Sequence, residues 1–550
     1  MSEATQLVPI HNVICGGFLS NFTWEVNASY SKSEGEYAGN EINIETAGDW
    51  LYPNADGLFY GPNYDAFDPE FLKGNPSPAV YDLLTINAVG TTAYEQTVFD
   101  ALVTGDVFDL PAGPVGLALG AQYRTFEIDD RPAQEAQDGL LWNTSSALVT
   151  QGDDAATEYF AELSVPILRG VPGFEELTFD GSARAFDYDS YGDDSVWKAG
   201  LNWQVIPAVR LRATKGTSYR APALYELFLG NQTGFLAQDS IDPCIDWANS
   251  SNENIRNNCS AAGIPGDYQG ASTAATIVTG GGCGVLDAET SEAETIGVIF
   301  TPTELNLSVA IDYFDITIND QVANLGSGTI LGGCYGLPTF PNAFCNLFDR
   351  NSGSDPTAAY AVTEVRDSFI NVNEQSTRGI DFEIRYEHEF DVGNLIVDLT
   401  ATKTLEDVNL LFDTGEESGF ETNDFNGTIG DPECVGALDV QFKRGDLTFA
   451  WFVDYVDGTD NTILGFDEDI TYFGRPGRII SKTDSWLSHD LSIRWVQDDF
   501  TLTGGVANLF NAQPPIISAD GGQRIGNIAL AGTQYDYRGR TIFARVTRRF

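Results

Sequence analysis

The feature that most constrains this chain is a sustained alternation of apolar and polar residues in segments of about ten residues or more. The segment from 197 shows it, with the apolar set Trp197, Ala199, Leu201, Trp203 and Val205. Segments 305–313, 380–387 and 447–455 repeat the pattern. A period of two places successive side chains on opposite faces of a β-strand. Each strand therefore has one apolar and one polar face, and it separates two environments.

Strand length indicates which environments these are. Strands of soluble sandwiches average about 5–6 residues, whereas a tilted strand that crosses a bilayer needs about 9–11. Because the alternation is long, we predict an all-β fold, an antiparallel transmembrane β-barrel whose apolar face meets lipid. A soluble secreted β-sandwich binding protein, with the apolar face against a second sheet, is the alternative.

The spacing of strands and connections supports a barrel. About 17 strands are predicted. They begin near residues 21, 92, 114, 155, 175, 194, 208, 290, 304, 360, 375, 394, 430, 445, 481, 498 and 533. Tight turns at 207–208, 391–393 and 444–446 contrast with long connections near 219–289, 324–359 and 409–430. Short turns at one rim and long extracellular loops at the other are typical of outer-membrane barrels.

One strand breaks the pattern. After Tyr313 the apolar positions shift to Phe314, Ile316 and Ile318. An extra residue in one strand produces such a change of phase. We therefore expect a bulge near 314 or the beginning of a loop.

Charge and motifs exclude several functions. Asp and Glu number 80 against 29 Lys and Arg, a net charge of −51, so nucleic acid is not an expected partner. The sequence contains no nucleophile elbow, no zinc-protease motif and no phosphate-binding or dinucleotide-binding glycine loop. We therefore expect no enzyme activity and no cofactor. The N-terminus shows no signal-peptide pattern.

Cysteine positions indicate disulfide bonds. Five of the seven cysteines lie between 244 and 345, in segments rich in Gly, Asn, Ser and Pro. No CxxC pair is present and the chain has three His, so a zinc site is not expected. Close pairs in polar loops are typical of an oxidising compartment. We predict that Cys244 pairs with Cys259 and Cys334 with Cys345.

Four segments resemble the TonB-dependent receptor family and follow its order. Residues 107–124 are similar to a mid-barrel hairpin of the family. Residues 210–227, RLRATKGTSYRAPALYEL, are similar to its strand ending in R-A-P-x-x-x-E-L. Residues 506–511, VANLFN, resemble its penultimate strand, and 537–550 its last strand, which ends in Phe550. The resemblance covers the chain from about residue 21 to its end.

The resemblance implies an architecture. The family's barrel has 22 strands around a plug, so about 17 of them would lie here. We expect an irregular N-terminal segment over 1–20 and an incomplete receptor-like barrel over 21–550. A signal peptide, a TonB box, the plug and the first strands have no counterpart in the sequence, which suggests a fragment.

The resemblance also implies a function. It is uptake of a small-molecule ligand across the cell outer membrane, for instance an iron chelate, saccharide or vitamin, with energy from TonB acting through the plug. The implied partners are outer-membrane lipid and the barrel-assembly machinery, which would recognise Phe550. A passive porin-like channel is a further alternative.

The candidate site residues lie in residues 210–227, which we call the family element. The sequence does not assign any ligand-binding residue. The candidate site residues are Arg212, Arg220, Pro222, Glu226 and Leu227. One interpretation is a lumen charge cluster near the plug or the substrate path. The other, which we favour, is an Arg–carboxylate pair that fixes the start of a long loop, because polar groups inside barrels usually pair with each other.

Overall fold

The alternating segments form seventeen long strands of one sheet. The structure, a computed structural model, describes residues 3–5, 10–18, 21–44, 68–142, 146–410, 423–464, 469–472, 475–518, 524–526, 528–529 and 535–549. The long strands are β1 (Ile10–Phe18), β2 (Phe22–Ile42), β3 (Thr85–Leu110), β4 (Gly113–Arg131), β5 (Thr150–Val171), β6 (Phe174–Tyr188), β7 (Gly192–Ile206), β8 (Val209–Arg220), β9 (Glu289–Phe300), β10 (Leu307–Ala323), β11 (Ile370–Phe390), β12 (Gly393–Leu410), β13 (Cys434–Arg444), β14 (Leu447–Val456), β15 (Trp486–Gln497), β16 (Phe500–Ala507) and β17 (Thr541–Arg548).

Each strand pairs antiparallel with the next in chain order, from β1 to β17. Short strands Glu3–Thr5 and Asn423–Asp424 extend the same sheet beside β2 and β12. The sheet is that of an up-and-down barrel, in which sequence neighbours are also spatial neighbours. The soluble β-sandwich is therefore wrong, because the long strands form one sheet and not two.

Three predictions need correction. The expectation of an irregular segment over 1–20 is wrong for β1, which pairs with β2 from Ile10 to Phe18. The strand expected near 360 is not part of the barrel: Val362–Arg366 belongs to a small sheet formed by the loops. The bulge expected near 314 lies further along, where the register between β10 and β11 shifts between Ile318 and Gln321.

Connections differ between the two rims as predicted. At one rim the strands are joined by short turns, such as 111–112, 207–208, 391–392 and 445–446. At the other rim the connections include 221–288, 324–369 and 508–540. Because the strands alternate in direction, all the large loops lie at the same end of the barrel.

The outward face of the barrel is apolar in continuous rows. Trp203, Leu211, Val298, Ile311 and Phe382 are register partners on successive strands β7 to β11. Leu211, Ile311 and Phe382 expose 37–38% of their surface. An exposed apolar row of this length needs an apolar environment. It meets hydrocarbon in a membrane barrel.

The apolar band ends at a row of charges toward the loop rim. Lys215, Glu294, Asp315 and Arg378 are register partners on β8 to β11, on the same face as the apolar rows. The Lys215 amine lies 2.5 Å from a carboxylate oxygen of Glu294, and Arg378 pairs with Glu406. Charged groups face water or lipid headgroups at much lower cost than hydrocarbon. This row therefore marks the upper limit of the lipid-facing band.

Helices and minor strands lie in the connections. The α-helices are Pro69–Leu72, Pro78–Leu84, Gln134–Gln137, Leu224–Phe228, Glu253–Ala261 and Ser327–Gly336. The 3-10 turns are Gln238–Ser240, Trp247–Asn249, Ala343–Asn346 and Asn461–Leu464. The loop strands are Gln232–Ala237, Ala274–Thr279, Phe348–Arg350, Val362–Arg366, Thr459–Asp460, Asp469–Tyr472, Arg475–Arg478, Lys482–Thr483, Arg524–Ile525 and Ile528–Ala529. Among the described residues, no helix has the length and apolar character needed to span a membrane.

Opposite faces of one strand should respond differently to charge. Leu119 faces outward and is 49% exposed, whereas its neighbour Ala118 faces the lumen and lines a cavity of about 790 Å³. We predict that Leu119→Arg destabilises the barrel in lipid by about 2–4 kcal/mol, because the guanidinium enters hydrocarbon. Ala118→Arg, the matched control, should cost much less. Denaturant unfolding in bilayers measures both, and equal effects would contradict the assignment of faces.

Candidate ligand-binding lumen and loops

Arg212 forms an ion pair that reaches across a strand inside the lumen. Its Nε and Nη2 donate to the two carboxylate oxygens of Asp312 at 2.7 and 2.6 Å. Gly297 on β9 lies between them in register, and a Cβ added there would collide with the Asp312 carboxylate. The glycine therefore leaves room for a bidentate pair between β8 and β10.

Arg220 ties the end of β8 to the loop that follows it. It donates to both carboxylate oxygens of Glu226 at 3.0 and 3.1 Å and to Glu289 on β9. Glu226 in turn accepts from the Ala223 amide at 2.7 Å. This geometry is the one expected of a pair that fixes the start of a long loop.

The remaining two candidate residues, Pro222 and Leu227, lie on the inner side of the barrel wall. Pro222 lines a lumen cavity of about 440 Å³, which lies between it and β3 to β6. Leu227 is 1% exposed and packs in a core with Leu224, Leu286 and Val322. The five candidate residues are neighbours in sequence, but in the structure Arg212 and Arg220 pair with different acidic residues. The role of these residues in binding stays a prediction.

Glu158 forms a buried polar network that sequence reasoning missed. Its side chain is 0% exposed and pairs with Arg124 and with Arg184 Nη1, the latter at 2.8 Å. The hydroxyls of Tyr188 and Tyr219 donate to it at 3.3 and 3.1 Å. A buried carboxylate is tolerated when it is neutralised and hydrogen-bonded in this way. The partners come from β4, β6 and β8, so no local spacing reveals them.

Two long loops fold into a compact subdomain, which we call the cap and define as residues 232–279 and 327–366. Its sheet has the strand order Gln232–Ala237, Ala274–Thr279, Val362–Arg366 and Phe348–Arg350. Its core includes Ile330, Leu331, Val362 and Val365, all 0% exposed. These loops are therefore held by a hydrophobic core of their own above the barrel.

Both predicted disulfide bonds lie in the cap, and both are confirmed. Cys244 is bonded to Cys259 and Cys334 to Cys345, and three of these four side chains belong to the buried core. Cys283 and Cys434 are free. The side chain of Cys15, and all of Phe550, lie outside the described residues.

A buried ion pair also joins the two halves of the cap. Arg350 donates to the two carboxylate oxygens of Asp242 at 2.8 and 2.7 Å, and the Asp242 side chain is 0% exposed. Burial works against the charge of Arg350, but Asp242 more than compensates, and the pKa of Arg350 is raised above its usual value. Burial raises the pKa of Asp367 just beyond the cap, although the Gly326 amide donates to its carboxylate at 3.1 Å.

These features define a class of protein, a membrane β-barrel with a polar lumen and folded loops at one rim. The family model described as "TonB dependent receptor-like, beta-barrel" matches residues 16–509. The chain therefore belongs to the TonB-dependent receptor family, as the four sequence segments predict. The match begins at residue 16, inside β1, and that the barrel of this chain is incomplete stays a prediction.

Solved receptor structures share the fold. A mutant of the ferric enterobactin receptor from Pseudomonas aeruginosa is 16% identical with a TM-score of 0.58. The siderophore receptor PirA from Acinetobacter baumannii is 12% identical with a TM-score of 0.56. In both comparisons 98% of this chain is covered, but only 62% of the other chain. The chain thus spans less than two thirds of these receptors.

Removing Arg220 should weaken the base of the loop. Arg220→Ala leaves Glu289, which is 8% exposed, without its cation. We predict a loss of roughly 1–3 kcal/mol. The control Arg169→Ala breaks an exposed pair with Glu176 and should cost about 0–1 kcal/mol. Denaturant unfolding of both variants in detergent measures the difference. Equal losses would show that Arg220 has no special structural role.

Removing a disulfide should loosen the cap and leave the barrel intact. Replacing Cys244 and Cys259 by Ala opens a link of sequence separation 15, for which loop entropy gives roughly 3 kcal/mol. We expect faster amide hydrogen exchange in 232–279 and unchanged exchange in β4 to β8. Exchange measured by mass spectrometry reports both regions. Unchanged exchange in the cap would contradict a stabilising role for this disulfide.

Proposed function

We propose that the protein takes up a specific small-molecule ligand across the outer membrane with energy supplied through TonB. The observation that carries the proposal is the family match over residues 16–509, on a barrel whose lumen is lined by paired charges. The ligand would bind to lumen side chains and extracellular loops, and a conformational change would then release it. No covalent chemistry is required.

An iron chelate is the ligand class that we propose. Two solved neighbours are described as ferric enterobactin and siderophore receptors, and they share the barrel fold of this chain. Saccharides and vitamins are the other classes that an uptake assay would reveal. TonB, the barrel-assembly machinery, outer-membrane lipid and the ligand are the proposed partners.

We also propose that this chain is the larger part of a longer receptor. Strands β1 and β17 run in the same direction, from the loop rim to the turn rim, because seventeen strands alternate between them. Within the described residues each pairs on one side only. Closing an all-antiparallel barrel then requires an odd number of further strands, and bacterial barrels have an even total. Five further strands would give the family's 22.

The test is energy-dependent uptake by the bacterium that encodes the chain. The probe is radio-iron bound to the chelators in spent medium from its own iron-starved culture. We expect that deleting the coding region removes part of the uptake, that the complete locus restores it, and that a protonophore abolishes the restored part.

The controls separate a receptor from a passive channel. A strain that expresses residues 1–550 alone should not recover uptake, because on this proposal residues outside them supply the plug and the closing strands. Restored uptake that persists with the protonophore would favour the porin-like alternative. Uptake that does not change on deletion would contradict the proposed iron-chelate function.

A further inference from the structure

We propose that the outward face of the barrel carries a binding site for one aminophospholipid of the leaflet at the turn rim. The site is an apolar trough along β15 and β16. We call it the lipid trough and define it by Trp451, Leu491, Ile493, Trp495, Leu502 and Gly504. It lies outside the lumen, so the inference stands apart from the proposed uptake function. Its occupant is identified by its apolar walls, its length and the charges at its end near the turn rim.

Two cavities follow one another along these strands. The upper one has a volume of about 430 Å³ and lies between Leu491 and Gly504. The lower one, nearer the turn rim, has a volume of about 470 Å³. It begins at the next outward pair, Trp495 and Leu502, and ends at the turn between β15 and β16. Together the cavities form one depression on the lipid-facing side of the sheet.

The floor of the lipid trough is low because two small residues lie side by side. Gly504 has no side chain, and its register partner on β17 is Ala544. A Cβ added at Gly504 would meet nothing nearer than the Phe543 carbonyl oxygen at 3.8 Å, so the packing of the sheet does not require glycine here. Phe449 and Ile493, which are 41% and 48% exposed, form a wall in the same row. The glycine therefore leaves an opening that a larger side chain would fill.

The position and length of the lipid trough match one leaflet of a bilayer. The trough lies within the lipid-facing band, so hydrocarbon is the material that surrounds it. From Val506 to Phe500 the chain advances six residues, or about 20 Å along an extended strand. At the tilt of about 40° that such barrels have, this length covers about 15 Å of the membrane normal. That is half of a hydrocarbon core of about 30 Å, which is the depth that the acyl chains of one leaflet occupy.

Opposite charges lie at the lower end of the lipid trough. Asp498 and the Phe500 ring line the lower cavity, and the guanidinium carbon of Arg548 lies 5.1 Å from the centre of that ring. The next residues, Asp499 and Arg549, add one charge of each sign. Guanidinium groups donate to phosphate oxygens, and ammonium groups donate to carboxylates. A headgroup that carries both a phosphate and a primary ammonium is therefore matched at this end.

The upper end of the lipid trough is closed by aromatic rings. The Trp451 indole Nε1 donates to Nδ1 of His489 at 3.2 Å, and the two rings are stacked with an interplanar angle of 10°. Phe510 packs edge-on against His489, with ring centres 5.1 Å apart. The indole donor is thus satisfied within the protein. The lipid headgroup is therefore expected at the lower end, beside the charges.

A flexible acyl chain suits this surface better than a second polypeptide. Helices that pack within a membrane need small residues along the line of contact. Gly504 and Ala544 are followed in the next outward row by the larger Leu502 and Val546. A rigid helix would rest on those larger side chains and leave the floor empty, whereas an acyl chain can bend to follow it.

Native mass spectrometry tests the site. The receptor is purified in a mild detergent from outer membranes of the bacterium that carries the complete locus, and the retained lipids are counted and identified by fragmentation. We expect one phospholipid with an ethanolamine headgroup. After delipidation, phosphatidylethanolamine should bind about two- to fivefold more tightly than phosphatidylglycerol or phosphatidylcholine, because only the first of these has both a phosphate and a primary ammonium.

Variants locate the lipid in the trough. Gly504→Leu fills the floor and should lower lipid occupancy at least about tenfold, and Ala544→Leu fills it from β17 and should act in the same direction. The matched control is Ala199→Leu, which adds the same side chain to the outward face of β7 and should retain the lipid. Arg548→Gln and Asp498→Asn should each reduce the preference for ethanolamine about two- to fivefold.

Three results would overturn the proposal. They are a parent receptor that retains no phospholipid, equal occupancy in Gly504→Leu and Ala199→Leu, and a second polypeptide bound in place of the lipid. Heat-dependent mobility on gels shows whether each variant is folded, and Ala544→Leu replaces Gly504→Leu in the comparison if the latter does not insert. Uptake by these variants is measured separately, and the failure of one proposal leaves the other standing.

Discussion

The structure depends on one constraint, that a strand in lipid must satisfy its backbone hydrogen bonds within the sheet and present apolar side chains outward. Hydrocarbon offers no hydrogen-bond partners, so spanning strands are stable only when their neighbours complete the ladder. The continuous pairing from β1 to β17 meets that requirement along the sheet. The apolar rows through Leu211, Ile311 and Phe382 supply the apolar side chains that the outward face requires.

The same constraint determines what the lumen contains. Since the outward positions within the lipid-facing band are apolar, the polar residues of the alternation there point inward, where charged groups pair with one another. Arg212 pairs with Asp312 across Gly297. Glu158 forms ion pairs with both Arg124 and Arg184. The charges that line the lumen are thus organised into networks across strands.

The sequence predicts much of the barrel because a two-residue period is a local signal. It does not reveal β1, in which the outward position opposite Trp24 is Gly16 and so adds no apolar side chain to the alternation. It places a barrel strand near 360, although Val362 and Val365 are buried in the cap, where packing needs no alternation. Phe314 suggests a bulge, but its ring packs over Gly379 inside the lumen and the register continues past it.

The site is less predictable than the fold. Residues 210–227 are recognisable by resemblance, and an Arg–carboxylate pair there is expected because polar groups inside barrels usually pair with each other. Glu158 is not recognisable, because its partners are distant in sequence and meet only when β4 to β8 lie side by side. The two disulfides were predictable because each joins cysteines that are close in the chain.

Quenching of tryptophan fluorescence by lipids brominated along their acyl chains tests most directly whether the outward face meets hydrocarbon. Trp197, Trp451 and Trp495 lie on that face and are 39–45% exposed. The account predicts strong quenching of these three tryptophans when the chain is reconstituted in brominated bilayers, while exposed loop tryptophans such as Trp142 respond instead to a water-soluble quencher. Fluorescence unaffected by the brominated lipid, from a chain that stays monodisperse in buffer without detergent, would contradict it.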